Sequence, residues 1–363
     1  MAASFTLAVH PWSYQAKYTE GGAWTEEFVE KPHLTPAEEN ELDAEARQRL
    51  LSQRNSFPEL PLINYTTQYG LGCFEGLKAL PQPDGSLKVF RPDENGKRLK
   101  RSMEGLRMPG FPVEQFVQAV LELVRRNEKL GFAPAYNPEW EKKNFADGSA
   151  VYIRPFSYAE PGIGLGTSSY PWVVIAATTV GSYFDPDART RAVVTDKLRA
   201  TPGGTGWIKC NANYVQPILT KKQANEDGYM EAIFLDVTQT YVEEGSSCNI
   251  FFLMDDDTLV TPELADTILP GINRASVLQL AADLGVTTEE RKVPIDEVMD
   301  RAKECFVTGT AAGVSYIESI THGDTERSFN NGEVGELTEK LATMLKGIQY
   351  GKVEDTHGWM YEV

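Results

Sequence analysis

A lysine in a glycine-rich stretch without other charges is the residue whose setting most suggests chemistry. Residues 203–214 read GGTGWIKCNANY, and Lys209 is the one charged residue among them. Removal from water disfavours the ammonium form of a lysine, and a neutral amine is what forms a Schiff base. An ordinary exposed lysine in a flexible loop is the alternative that this stretch alone leaves open.

Three further stretches could complete a site with such a lysine. Glu244 precedes small residues and an apolar strand, LPGIN at 269–273 opens a predicted helix, and residues 309–313 read GTAAG. Free N–H groups at a helix start or in a glycine turn suit a phosphate, although each stretch also fits a plain turn. Pyridoxal phosphate needs a lysine, an acid for its ring nitrogen and N–H groups for its phosphate. The set is compatible with that cofactor.

A basic cluster stands out in this acidic protein. Residues 96–108 contain five lysines and arginines, including Arg98. The cluster fits a solvated helix face, and it fits an anion site equally well, because arginines near a helix start commonly bind phosphate.

The overall composition excludes several classes of function. The 363 residues are 41% hydrophobic and 24% charged, with a net charge of −17 that opposes binding to nucleic acid or anionic membranes. No apolar run approaches the roughly 20 residues of a membrane span, and the N-terminus has no features of a signal or transit peptide. We therefore expect a cytoplasmic protein.

The cysteines and histidines predict no metal centre. Cys73, Cys210, Cys248 and Cys305 are far apart in the sequence and form no Cys-x-x-Cys pair, and the four histidines are equally scattered. Neither a disulfide framework nor a zinc site is expected from this spacing.

Strand-like and helix-like segments interleave along the whole chain, which predicts an α/β (α+β) fold. Helices are predicted over 36–54, 113–130, 214–227, 268–284, 294–303 and 333–345, and strands over 87–91, 150–155, 171–179, 232–237, 249–253, 258–261 and 305–313. The polar segment 181–191 contains the candidate linker. The predicted division is an N-terminal domain 1–184, a linker 185–199 and a C-terminal domain 200–363.

The chain resembles the class IV aminotransferases, and within them the branched-chain amino acid aminotransferases. Glu244, NIF at 249–251, LVT at 259–261 and LPGINR at 269–274 match the class IV signature, which is long and specific. The segments that resemble the branched-chain enzymes are YGLGCFEGLKA at 69–79, FRP at 90–92, YIRP at 152–155, GSYF at 181–184, KCNANY at 209–214 and VTGTA at 307–311. The resemblance extends from about residue 60 to 315.

The resemblance implies a fold type IV pyridoxal-phosphate enzyme. It implies a smaller N-terminal α/β domain, a larger C-terminal domain with a barrel-like sheet, and a homodimer in which the partner subunit completes part of each pocket. The implied substrates are leucine, isoleucine or valine and 2-oxoglutarate. No metal, nucleic acid or membrane is implied.

Site residues follow from the same resemblance. Lys209 holds the cofactor and moves the proton, Glu244 pairs with the ring nitrogen, and Tyr214 reaches the ring hydroxyl. The residues implied for the cofactor phosphate are Arg98, Ile272, Asn273 and Thr310, with Ser247 also at the cofactor. The residues implied for the substrate pocket are Tyr69, Phe74, Tyr152, Arg154, Tyr183, Ser247, Thr310 and Ala311.

Some positions depart from the family pattern, and some alternatives remain open. Ser247 and Asn273 stand where other side chains are common, while Ala312 and Ser315 replace the Cys-x-x-Cys pair of the mammalian members. A D-amino acid or amine aminotransferase, or an aminodeoxychorismate lyase, would share the class IV signature. A non-catalytic protein of the same fold is disfavoured because both Lys209 and Glu244 are present.

Overall fold

A computed structural model describes residues 7–56, 61–181 and 189–363. The chain forms two compact units. The first unit contains Met1–Tyr183, Lys209–Ala212 and Gln349–Val363, and the second contains Phe184–Ile208 and Asn213–Ile348. The segment that carries Lys209 therefore belongs to the first unit, although the residues on both sides of it belong to the second.

The described strands are, in chain order, β1 Trp12–Tyr18, β2 Trp24–Glu30, β3 Leu77–Pro81, β4 Leu87–Phe90, β5 Ala150–Tyr158, β6 Trp172–Val180, β7 Arg191–Thr195, β8 Glu231–Leu235, β9 Tyr241–Gly245, β10 Asn249–Met254, β11 Leu259–Pro262, β12 Thr288–Arg291, β13 Val293–Pro294, β14 Ala302–Gly309, β15 Gly313–Tyr316, β16 Ser319–His322, β17 Thr325–Ser328 and β18 Met360–Glu362. The described α-helices are α1 Pro36–Glu41, α2 Ala44–Arg54, α3 Tyr65–Tyr69, α4 Pro92–Gly105, α5 Val113–Lys129, α6 Val215–Glu226, α7 Ile272–Asp283, α8 Ile295–Arg301 and α9 Glu336–Gln349. Short 3₁₀ turns cover Pro138–Lys143, Asn211–Tyr214 and Asn330–Gly332.

The first unit is built on one antiparallel sheet. Its seven strands lie in the order β18-β4-β3-β5-β6-β1-β2. Helix α5 packs on this sheet through an apolar face that includes the fully buried Phe116, Val120 and Leu123, at the spacing expected of an amphipathic helix. Strand β5 lies in the middle of the sheet, where its backbone pairs with β3 on one side and with β6 on the other.

The second unit contains two mixed sheets. The five-stranded sheet has the order β12-β11-β10-β14-β15, and the six-stranded sheet has the order β13-β9-β8-β7-β16-β17. All six residues of β10 are buried, which fits a near-continuous apolar strand inside a sheet. Parallel pairs join β11 to β12 and place β7 between β8 and β16.

The predicted mixed α/β architecture is confirmed, but the two units differ from the predicted domains. The first unit is the larger one, because the hairpin β1–β2 and the C-terminal strand β18 both join its sheet. Within the predicted linker 185–199, residues 185–188 lie outside the described part, while β7 is an internal strand with Ala192 fully buried. Burial and strand pairing explain why this segment is part of a sheet rather than a linker.

The helix predicted over 36–54 is two helices. Leu42 is extended, and the carboxylate of Asp43 accepts a hydrogen bond of 2.8 Å from the N–H of Ala46, which starts α2 as a separate helix. Among the described helices, none is long and apolar enough to cross a membrane.

Candidate active site

Lys209 is held in the first unit by its backbone. Its N–H donates to the hydroxyl of Ser102 on α4 at 3.0 Å, and its carbonyl accepts from the N–H of Phe74 at 3.1 Å. Its Nζ lies 4.8 Å from the centre of the Phe74 ring. The side chain is half-buried, so Lys209 is only partly removed from water. The ring contact is a cation–π geometry when the amine is charged.

A buried carboxylate accompanies Lys209. Glu75 is 0% exposed and accepts hydrogen bonds from Nε and Nη2 of Arg98, at 2.7 and 2.8 Å, and from Asn95 at 2.8 Å. Burial works against ionisation of Glu75, but the charge and hydrogen bonds of Arg98 and the charge of Lys209 outweigh it and hold the pKa of this carboxyl below its usual value. Arg98, predicted as a phosphate ligand, is thus a buried cation with a fixed partner.

Strand β5 places Tyr152 and Arg154 on one side of the sheet, as their two-residue spacing requires. The guanidinium of Arg154 lies 4.8 Å from the Phe74 ring centre, and its Nη2 donates to the hydroxyl of Tyr152 at 2.8 Å. Gly76 lies against the Tyr152 hydroxyl so closely that any side chain there would collide with it. The predicted substrate residues Phe74, Tyr152 and Arg154 therefore form one cluster.

In the second unit, Glu244 is a buried acid with a buried counter-ion. It lies on β9 and is 2% exposed. Its Oε1 is 2.7 Å from Nη1 of Arg199 and accepts from the N–H of Leu269 at 3.1 Å. Because an isolated buried carboxylate is costly, the contacts with Arg199 and the Leu269 N–H compensate for the burial of Glu244.

The start of α7 carries two of the predicted phosphate ligands. Ile272 and Asn273 form its first turn, where backbone N–H groups lack helical partners. Asn273 is fixed there because its Nδ2 donates to the carbonyl of Gly309 at 2.8 Å. This bond joins the helix start to the loop that holds Thr310 and Ala311, both half-buried.

The glycine-rich stretch before Lys209 is closed by an asparagine. Nδ2 of Asn213 donates to the carbonyls of Thr205 and Ile208 at 2.7 and 2.9 Å, and its Oδ1 accepts from the Thr205 hydroxyl at 2.7 Å. Tyr214, the predicted partner of the cofactor hydroxyl, follows Asn213 directly and is half-buried. These hydrogen bonds make the glycine-rich stretch an ordered turn rather than a flexible loop.

The remaining predicted residues have different settings. Tyr69 ends α3, is substantially exposed and accepts a hydrogen bond from Gly164 N–H at 2.9 Å. Ser247 is exposed, next to the buried Ser246. Tyr183 lies outside the described residues. The part of the chain that the structure describes contains no cluster of three His, Cys, Asp or Glu side chains that could hold a metal ion.

Two buried charged residues of these clusters, Glu75 and Arg199, were not predicted from the sequence. Glu75 lies inside the matched segment 69–79, and a carboxylate within an apolar run is the signal that could have singled it out. Arg199 lies ten residues before Lys209 in an unremarkable polar stretch. Nothing in the local sequence indicates that Arg199 pairs with Glu244.

Comparison with known proteins defines the class. The family described as amino-transferase class IV matches residues 72–320, which is more than half of the chain. The chain belongs to this family.

Individual relatives within this family have more specific names than the family itself. The chain is 39% identical over 304 residues to the branched-chain-amino-acid aminotransferase of Mycolicibacterium smegmatis, with 80% of each chain covered. It is 38% identical over 304 residues to the branched-chain-amino-acid aminotransferase of Mycobacterium tuberculosis, with the same coverage.

Solved structures agree with these relatives. The branched-chain aminotransferase of Thermoproteus uzoniensis, crystallised with norvaline, has a TM-score of 0.71 and 31% identity and covers 84% of this chain and 94% of its own. The Escherichia coli branched-chain enzyme has a TM-score of 0.70 and 27% identity, with the same coverage. The T.th. branched-chain enzyme, solved with pyridoxamine 5'-phosphate, has a TM-score of 0.70 and 28% identity, covering 84% of this chain and 93% of its own.

Proposed function

We propose that this chain is a branched-chain amino acid aminotransferase. It exchanges an amino group between L-leucine, L-isoleucine or L-valine and 2-oxoglutarate, and gives branched 2-oxo acids and L-glutamate in two half-reactions. The observation that carries the proposal is Lys209, held by Ser102 and Phe74 beside an apolar ring, in a chain of the class IV family. The names of the relatives support the branched-chain substrates.

The cofactor is pyridoxal 5'-phosphate, and the residues present fit it. When bound, it supplies an electron sink that makes the α-carbon proton of the substrate acidic. The donor set contains a lysine amine, a buried carboxylate with its own counter-ion, a buried guanidinium and the N–H groups of a helix start. In our proposal Lys209 binds the cofactor, Glu244 pairs with its ring nitrogen, and Tyr214 contacts its ring hydroxyl. The phosphate is assigned to Arg98, Ile272, Asn273 and Thr310.

Lys209 also serves as the acid and base of the reaction. With the cofactor bound, its Nζ would take up the α-proton of the amino acid and later release it, because one amine can alternate between its charged and neutral forms. The backbone bonds of Lys209 to Ser102 and Phe74 limit the positions that Nζ can reach. A base that is held in place lowers the entropic cost of reaching the reactive geometry.

The pocket must accept an apolar side chain and a dicarboxylate in turn. Phe74 and Tyr152 supply aromatic surface, and each buried methylene of leucine is worth about 0.8 kcal/mol. Arg154 supplies a positive charge in the same cluster. The T.th. branched-chain enzyme has been solved in complex with N-(5'-phosphopyridoxyl)-L-glutamate, which has a side-chain carboxylate, and with 4-methylvaleric acid, which has a branched apolar chain. Tyr69, Tyr183, Ser247 and Ala311 complete the proposed pocket.

The assembly and the cellular setting belong to the same proposal. We expect a homodimer in the cytoplasm, and the dimer is implied by the resemblance to the family. The partially exposed Tyr69 is compatible with a pocket that a partner subunit completes. Sedimentation of the purified protein measures the assembly directly.

Chemical trapping tests the function. Reduction of the holoenzyme with borohydride should fix the cofactor on Lys209, located by peptide mass spectrometry. Lys209→Ala should abolish transamination, while Lys222→Ala, at an exposed lysine paired with Glu226, should retain it. Cofactor trapped mainly on another lysine would refute the assignment. Activity with D-leucine but not L-leucine would instead indicate a D-amino acid aminotransferase.

A further inference from the structure

Glu75 has no role among the residues proposed for the reaction, yet it is the most completely buried charge beside them. Its carboxylate is 0% exposed, and each of its oxygens accepts a hydrogen bond from Arg98. Asn95, from the same helix α4, adds a third bond at 2.8 Å. A carboxylate is rarely buried this fully unless its partners fix it in place.

The pairing determines how Arg98 is oriented. A guanidinium is planar, and a two-bond pair with a carboxylate fixes both its position and its plane. Glu75 occupies the edge formed by Nε and Nη2, so the direction of the opposite edge, which contains Nη1, is set by the same contact. Arg98 itself is only 5% exposed and sits on α4, two residues after the buried Gly96.

The positive charges next to Glu75 also need its carboxylate as a counter-ion. Arg98 and Lys209 are two cations whose charges both act on the Glu75 carboxylate. Without that carboxylate, a buried guanidinium would lose its counter-ion and could turn towards other acceptors. The cofactor phosphate would then have to organise Arg98 when it binds, at a cost in affinity.

We propose that Glu75 is a positioning residue that fixes the guanidinium of Arg98 in the orientation that receives the phosphate of the cofactor. The proposal rests on the proposed function, because it takes Arg98 as a phosphate ligand. Glu75 acts only through Arg98. Its removal should therefore weaken the recognition of the phosphate group more than the recognition of the pyridine ring.

The experiment compares two ligands that differ only in the phosphate. Dissociation constants for pyridoxal phosphate and for pyridoxal are measured on cofactor-free wild type and Glu75→Gln by absorbance titration. We expect affinity for pyridoxal phosphate to fall at least about tenfold, as for the loss of a charged hydrogen-bonded pair, and affinity for pyridoxal to change much less. Equal losses for the two ligands, or none, would overturn the proposal.

Two further variants separate positioning from folding. Glu39→Gln breaks another buried carboxylate–arginine pair of the first unit, with Arg54, and should leave the ratio of the two dissociation constants unchanged. In a double-mutant cycle, Glu75→Gln should cost little once Arg98→Lys has removed the planar fork. If Glu75→Gln does not fold, Glu75→Asp keeps the charge but shortens the reach, and the same ratio decides.

The outcomes distinguish this inference from the proposed function. If wild type fails to bind pyridoxal phosphate on Lys209, the proposed function is refuted before the variants are compared. If wild type binds it there and Glu75→Gln keeps the wild-type ratio, the role of Glu75 alone is refuted. Additive losses from Glu75→Gln and Arg98→Lys would likewise overturn only the role of Glu75.

Discussion

Cys73 and Cys210 lie directly opposite each other across an antiparallel bridge in the first unit. The flanking bonds, from Phe74 N–H to the Lys209 carbonyl and from Asn211 N–H to the Gly72 carbonyl, make them a non-hydrogen-bonded pair. Such pairs have Cα atoms about 4.5 Å apart, which is within the range of a disulfide. This bridge ties the segment that carries Lys209 to the first unit.

We nevertheless expect mild oxidants to leave the two thiols reduced in the folded protein. Both are buried, and burial raises the pKa of the Cys73 thiol to about 12, whereas the thiolate is the reactive form. Diamide treatment followed by peptide mapping should detect the Cys73–Cys210 disulfide only after denaturant has opened the fold. A disulfide formed in the native enzyme, with activity lost and then restored by dithiothreitol, would contradict this.

Glu244 and Glu243 are adjacent buried acids with opposite expected importance. Glu244→Gln should reduce turnover by about 10- to 100-fold while cofactor is largely retained, because a charged hydrogen-bonded partner of the ring nitrogen is lost. Glu243→Gln is the matched control and should retain near wild-type turnover. Burial raises the pKa of Glu243, so a neutral amide replaces it at little cost. Equal activity losses at the two positions would show that Glu244 is not the specific partner of the ring nitrogen.

Arg199 should be required for Glu244 to function. Arg199→Gln leaves a buried carboxylate without its 2.7 Å partner, and breaking such a pair costs about 3–5 kcal/mol of unfolding free energy. Thermal unfolding and steady-state turnover should both decline, with partial recovery in Arg199→Lys. The double variant with Glu244→Gln should be less destabilised than the sum of the two single variants. Strict additivity would show that the two side chains act independently.

Arg154 should matter more for the dicarboxylate than for the apolar substrate. We expect its guanidinium to pair with the distal carboxylate of 2-oxoglutarate, because an unpaired charge in an aromatic pocket is costly. Single-turnover measurements on Arg154→Met should show a much larger loss in the 2-oxoglutarate half-reaction than in the leucine half-reaction. Similar losses in both would mean that Arg154 binds the α-carboxylate common to the two substrates or supports the structure through Tyr152.

His10 should make the first unit sensitive to acid. Its burial and the nearby charge of Arg54 lower its pKa from 6.5 to about 3. The unfolded chain then binds more protons between these values, so the histidine contributes stability above pH 6.5 that is lost as the pH falls towards 3. Urea unfolding of His10→Gln should depend less on pH over this window than wild type. The half-buried His33→Gln is the control, and an unchanged pH dependence in His10→Gln would exclude this role.

The sequence by itself determined most of the local structure and the chemistry. The long amphipathic helix α5 and the apolar strands β6 and β10 follow from hydrophobic spacing, because those patterns bury one face or both faces of an element. Glu244 and the helix start at Ile272 follow from the signature that extends from residue 244 to 274, and Lys209 follows from the separate segment KCNANY at 209–214.

Tertiary structure alone decided which residues support that chemistry. Glu75 and Arg98 are 23 residues apart, and Arg199 and Glu244 are further apart still, yet each pair is buried in direct contact. The composition of the two units also depends on contacts between distant parts of the chain. The C-terminal strand β18 joins the sheet that contains β1, and Lys209 is bonded to Ser102 and Phe74 of the first unit. Hydrophobic periodicity predicts which face of an element is buried, but it does not predict which distant residues pack against that face.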